Sequence, residues 1–154
     1  MARRRVPLLA QATAECEAEP QRDPGKGMSI REPEDVQAWA TESGLVSRRY
    51  EEPWVLVLDR QSRLMHARRV SCGGPGGTHL ELSDVIDAAR NSGSPGFILV
   101  HNHPSGNPQP NKLDIQTTQE LIELTKSHGM RLLDHVVVCP SRFMSMKNEG
   151  LLAA

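Results

Sequence analysis

Two short, unbroken apolar runs, Trp54-Val55-Leu56-Val57-Leu58 and Phe97-Ile98-Leu99-Val100, constrain this chain more than any other feature. The first stops at Asp59-Arg60-Gln61-Ser62, a turn signal. It therefore predicts a buried strand that reverses into a more polar partner over Leu64 to Val70. The second run predicts another buried strand. Leu132 to Cys139 adds a further one, and Phe143 to Met146 a short last one. Segments of helical period stand between them. Pro33 fits the first turn of a helix that carries Val36, Trp39 and Ala40 inward and stops at Gly44. Ser83 is placed to cap a helix running to Asn91, with Val85, Ile86 and Ala89 inward. Asp114 to Ser127 predicts a longer helix, with Ile115, Thr118, Ile122 and Thr125 on one stripe and Gly129 as its stop. Strands and helices mixed in this way predict an α/β sandwich around a central sheet. With aromatics at only 3% of the residues, its core has to be built from Leu, Val, Ile and Ala.

The 154 residues suffice for one compact domain and not for two. Residues 1–28, rich in Arg, Gln, Glu, Pro and Gly and without apolar period, are expected to form a disordered leader, with the domain occupying 29–154. Cys72-Gly73-Gly74-Pro75-Gly76-Gly77 predicts a loop, and it lacks the Gly-Lys-Ser/Thr ending of a phosphate loop. The net charge of −1 speaks against direct nucleic-acid binding, which needs a clustered basic excess. No sustained apolar stretch suggests a signal peptide or a membrane span. Cys16, Cys72 and Cys139 are odd in number and widely spaced, so no disulfide framework or CxxC zinc knuckle can be read from them. They fit a reducing cytoplasm, the expected location.

Chemistry concentrates in the stretch from His101 to Asp114. His101 and His103 sit two apart at the end of a predicted strand, where alternate side chains share a face, so both imidazoles can reach one point. Pro104 ends the strand directly after them. Asp114 lies eleven residues beyond His103, at the predicted start of the next helix, and the intervening loop can return its carboxylate to the same point. Two imidazoles and a carboxylate suit Zn²⁺, and three protein ligands leave a fourth position open, as in a catalytic site. An isolated His-x-His is as easily a pair of exposed loop histidines; here the preceding strand and the spaced aspartate favour a metal site. His135, mid-strand beside Asp134, reads as a hydrogen-bonded structural histidine or as a fourth ligand. His66, His79 and His128 read as surface residues.

His101-Asn102-His103-Pro104-Ser105-Gly106, with Pro110 and Asp114 beyond, resembles the JAMM motif of the JAB/MPN metalloproteins. More narrowly it resembles the bacterial RadC-like branch, whose characteristic form is HNHPSG. Leu133-Asp134-His135-Val136, Ser145 and Glu149-Gly150-Leu151 match the same branch, and the likeness covers roughly residues 45 to 151. It implies a JAB/MPN-type (cytidine-deaminase-like) sandwich with a central mixed β-sheet flanked by helices, and Zn²⁺ held by His101, His103 and Asp114. It also implies a general acid/base glutamate upstream. Matching Leu58-Asp59 to the family's strand ending places that residue at Glu51, with Glu52 as the alternative one position out. Two positions depart from the pattern. Pro53 stands where an aromatic or aliphatic residue is usual. Asn111 stands where a Ser helps to hold the oxyanion, a task an amide N–H can also perform. RadC-like proteins often carry an N-terminal helix-hairpin-helix segment, for which a leader ending at residue 28 is expected to have no room.

The resemblance implies a zinc-dependent hydrolase, a metallopeptidase cleaving an amide or isopeptide bond in a peptide or protein substrate. The alternative is a DNA-repair- or mobile-element-associated, or partner-binding, RadC-like domain with weak or no peptidase activity.

Overall fold

The computed structural model describes residues 22–73, 80–90 and 94–152. Five strands form one sheet: β1 (Pro53–Leu58), β2 (Leu64–Arg69), β3 (Gly96–Asn102), β4 (Leu132–Val138) and β5 (Phe143–Ser145). Their order is β2-β1-β3-β4-β5. Only β3 and β4 run parallel, and every other neighbouring pair is antiparallel, so the sheet is mixed. Among the described residues, three α-helices flank it: α1 (Pro33–Glu42), α2 (Leu82–Ala89) and α3 (Lys112–Ser127). A 3-10 turn at Leu45–Ser47 follows α1, started by Gly44 at φ 85°. The expected α/β sandwich with a central mixed sheet is the fold observed.

The apolar runs are unbroken because both faces of the sheet are covered. Trp54, Leu56 and Leu58 of β1 and Ile98 and Val100 of β3 pack with Val36, Trp39 and Ala40 of α1. Val55, Val57, Phe97 and Leu99 pack on the other face with Val85, Ile86 and Ala89 of α2 and Leu121 of α3. The two tryptophans meet edge to face across the first cluster, ring centroids 5.5 Å apart. His101 continues the alternation of Phe97 and Leu99, which carries it to the face covered by α2 and α3. There it stands between Pro53 of β1 and Val137 of β4. The parallel β3–β4 pair requires a crossover, and α3 supplies it, bringing its N-terminus back to the end of β3.

Two expectations need correction. The α2 helix starts at Leu82 with Glu81 as its cap residue, so Ser83 lies inside the first turn. The leader does not extend to residue 28. Residues 1–21 lie outside the described ones, but Asp23 to Met28 are fitted to the domain, chiefly by hydrogen bonds, with Pro24 buried and Met28 packed against the core. The Trp39 indole donates to the Pro24 carbonyl at 2.8 Å, and the Ala67 amide donates to the Asp23 carboxylate at 3.1 Å. Gly25 is fixed by space as well as by its φ of 78°, since a Cβ there would stand 2.7 Å from Trp39 Cδ1.

A chain starting at Ser29 is therefore expected to be less stable than the whole. Removing Pro24 leaves a buried indole N–H without its acceptor, at a cost of about 1–3 kcal/mol. That corresponds to a Tm lowered by roughly 5 °C. An unchanged melting curve would show that these contacts contribute nothing.

Cys139 is a free, buried thiol. The remainder of the glycine-rich loop beyond Gly73, His79 and the helix end expected at Asn91 lie outside the described residues. Among those described, no helix is long and apolar enough to cross a membrane.

Candidate metal centre

The end of β3 and the first turn of α3 build one cluster. His101 Nε2 and His103 Nε2 stand 3.0 Å apart. The Asp114 carboxylate spans the pair, Oδ1 lying 3.5 Å from His101 Nε2 and Oδ2 lying 3.3 Å from His103 Nε2. Both histidines are buried. Four ligand atoms held tetrahedrally at about 2.0–2.2 Å from one ion stand about 3.3–3.6 Å from one another. Two of the observed spacings fall in that range and the third, at 3.0 Å, is slightly short of it, so the three side chains fit a single small cation with little movement.

Each side chain has a local reason for its position. The Asn107 carbonyl lies 2.9 Å from His103 Nδ1. A carbonyl only accepts, so His103 Nδ1 carries a proton in either charge state, and Nε2, facing Asp114, is the atom that holds the second proton or, without it, offers its lone pair to a metal. Asn111 is the N-cap of α3 and forms a reciprocal pair with Asp114. Asn111 Oδ1 accepts from the Asp114 amide at 2.7 Å, and Asp114 Oδ2 accepts from the Asn111 amide at 3.0 Å. The cap therefore aims the carboxylate as well as starting the helix. Asn111 itself is exposed and does not line the cleft described below. With Oδ1 committed to the cap, Nδ2 is the atom left for donation.

Glu51 joins the cluster, and Glu52 does not. Ligand atoms of Glu51, His101 and His103 all lie within 4.8 Å of one another. Glu51 is half-buried in the wall of an open cleft of about 200 Å³, which Pro53, Leu80, Leu99, Leu113, His101 and Asp114 also line. Glu52 is buried elsewhere. It accepts from the Trp54 indole at 3.2 Å and lies 3.7 Å from Arg48 and 3.9 Å from Arg69. Asn102 separates the two roles. Its side chain donates to the Tyr50 carbonyl at 3.1 Å and accepts from the Glu52 amide at 2.8 Å. It thus grips the backbone on both sides of Glu51. Nothing in the composition of the His-Asn-His string points to that clamp. Strand alternation does, because it turns the middle residue away from the face its neighbours share.

Charge is balanced within the cluster. Burial alone would raise the Asp114 pKa, but its pairing with the imidazoles of His101 and His103 holds it well below the usual carboxylate range. Burial alone would lower the His103 pKa; the bond to Asp114, the Asn107 carbonyl and the charges of Asp114 and Glu51 outweigh it and raise the value above 6.5. The raised value favours a proton on His103 in metal-free protein, in the place a cation would take. His103 then contributes stability that is complete below about pH 6.5 and lost as pH rises through its raised folded value. Asp114, shifted the other way, contributes above the ordinary Asp value and loses its contribution only in strong acid. Chelator-treated protein is therefore expected to melt lower at about pH 8.5 than at about pH 6. Added zinc, which must displace the proton, should stabilise more at the higher pH. Equal zinc stabilisation at both would contradict the exchange.

His135 lies behind the cluster, 2.9 Å from His101 Nδ1, on the far side from Asp114 and His103. It is not a fourth ligand in this arrangement. Burial, and then the charge of His101, push its pKa well below the ordinary value. His66 is half-buried, 3.5 Å from Asp23, and His128 is exposed at the end of α3.

Comparison with known proteins gives a consistent assignment. The family described as RadC-like JAB domain matches residues 30–151. A UPF0758 protein of Syntrophomonas wolfei is 37% identical over 126 residues, covering 80% of this chain and 54% of the relative. One from Desulforudis audaxviator is 34% identical over 123 residues, covering 80% of this chain and 53% of its own length. The chain spans about half the length of these curated relatives.

Proposed function

Since this chain belongs to the RadC-like JAB domain family, we propose that it is a zinc-dependent hydrolase that cleaves an amide or isopeptide bond in a peptide or protein. The observation that carries this is the convergence of His101, His103 and Asp114 beside Glu51 at the wall of an open cleft. Asp114, rather than Glu51, is the third ligand, because its two oxygens each face one imidazole and its helix cap holds them there. When bound, zinc acidifies a water and polarises a carbonyl. Glu51 takes the proton of the attacking water and returns it to the leaving amine. Asn111, whose side chain caps α3 outside the cleft wall, would have to turn Nδ2 toward the carbonyl oxygen to serve as its donor. Pro53, Leu80, Leu99 and Leu113 form an apolar wall that receives an aliphatic part of the substrate and limits water.

The test is incubation of the zinc-loaded protein with a peptide library, read by mass spectrometry. Cleavage that disappears with chelator and returns with Zn²⁺ is expected. Zinc-loaded protein that cuts nothing would overturn the hydrolase and favour a partner-binding domain.

A further inference from the structure

Thr118 and His135 connect the cluster to the interior of α3, and neither is needed to explain the three ligands. We infer that the two form a positioning relay that keeps the proton of His101 on Nδ1 and so leaves its Nε2 free to bind a metal ion. The geometry of the relay stands without any metal; its consequence rests on the zinc site proposed above.

The direction of the relay follows from one hydroxyl. Thr118 Oγ1 lies 2.7 Å from the carbonyl of Asp114 and 2.6 Å from His135 Nδ1. The relay gives the single hydroxyl proton to that carbonyl, which can only accept, as in the common threonine bond to the carbonyl four residues earlier on a helix. The Met146 sulfur, 3.5 Å away, is too weak an acceptor to compete. Oγ1 must then accept from His135, which places the His135 proton on Nδ1. His135 is buried with no carboxylate against it, so the ring is neutral and its Nε2 carries a lone pair. That lone pair faces His101 Nδ1 at 2.9 Å and has to receive a proton from it. His101 Nε2 is left bare, turned toward His103 and Asp114. No group changes charge; only the site of each ring proton is chosen.

The same hydroxyl therefore serves two ligands. It fixes the tautomer of His101 and ties to the backbone of Asp114, one turn earlier on the same helix. Reversing the relay would put a proton on His101 Nε2, the atom a metal needs. Partners of this kind behind a ligating histidine typically account for 10- to 100-fold in metal affinity.

Long-range ¹H–¹⁵N correlation spectra of the full chain labelled at histidine, recorded with chelator and again with Zn²⁺, test the inference. His135 is expected as the Nδ1–H tautomer in both. Thr118→Val keeps the volume but removes the acceptor, so His135 is expected to move its proton to Nε2. Zn²⁺ affinity, measured by competition with a chromophoric chelator, should fall roughly 10- to 100-fold. Thr118→Ser keeps the hydroxyl and should restore both the tautomer and most of the affinity. An Nε2–H His135 in the wild-type protein overturns the relay without recourse to any variant, as does a Thr118→Val protein with wild-type tautomer and affinity. A wild-type Nδ1–H signal that is lost in Thr118→Val, in a protein that takes up no zinc, upholds the relay and overturns the zinc site instead.

Discussion

Alanine at His103 or at Asp114 is expected to leave the purified protein with almost no zinc where the unaltered chain holds about one equivalent. The three donor groups meet at 3.0, 3.3 and 3.5 Å, and among the described residues no other side chain is held by both a helix cap and two imidazoles as Asp114 is. Removing either residue leaves two protein ligands, too few for a tightly held ion. Elemental analysis of the two variants measures this, with circular dichroism to establish that the sheet persists. Glu51→Gln separates the two carboxylates. It should retain its zinc if Asp114 is the third ligand and lose it if Glu51 is. Undiminished zinc in both alanine variants would remove the assignment of His101, His103 and Asp114.

The second large effect concerns Glu51 itself. Glu51→Gln keeps the volume and polarity of the side chain but cannot accept a proton as a base. On a peptide cleaved in the library assay, turnover is expected to fall by roughly 10²-fold or more, the usual scale for a lost general base. Fold and zinc content should be unchanged. Glu52→Gln is the natural control, and its expected effect is of another kind. Its carboxylate is buried against the Trp54 indole and faces Arg48 and Arg69. The variant should therefore lose about 1–2 kcal/mol of stability while keeping turnover per folded molecule. Reversed effects at the two positions would exchange their roles.

The architecture and the residues of the cluster were legible for different reasons. Trp54 to Leu58 and Phe97 to Val100 announce buried strands because a sheet covered on both faces needs no polar alternation. The histidines and Asp114 lie within one strand-loop-helix stretch, so their convergence is a local matter of alternation and chain reversal. What escaped was the non-local polar structure. Thr118 reads as one more residue on an inward stripe, yet its hydroxyl joins Asp114 to His135 across 17 residues. Asn102 looks like a spacer, although it holds a segment 50 residues away. Asn111 suggests an oxyanion donor, while its oxygen is engaged as a helix cap. The stretch from Asp23 to Met28 has no apolar period because backbone and side-chain hydrogen bonds, to which hydrophobic patterning is blind, fasten it.

That stretch has a consequence for the sheet boundary. β2 is the outermost strand on its side, and a bare outer strand offers its amides and carbonyls to any other chain. Here the Gly27 amide donates to the Leu64 carbonyl at 2.8 Å, the Leu64 amide to Met28 at 2.9 Å, and the Ile30 amide to Ser62 at 2.8 Å. The polypeptide has used its own preceding residues to occupy the first of the positions along β2, at Leu64, at which a foreign strand could add. The segment thereby narrows the stretch of sheet edge that is open to pairing.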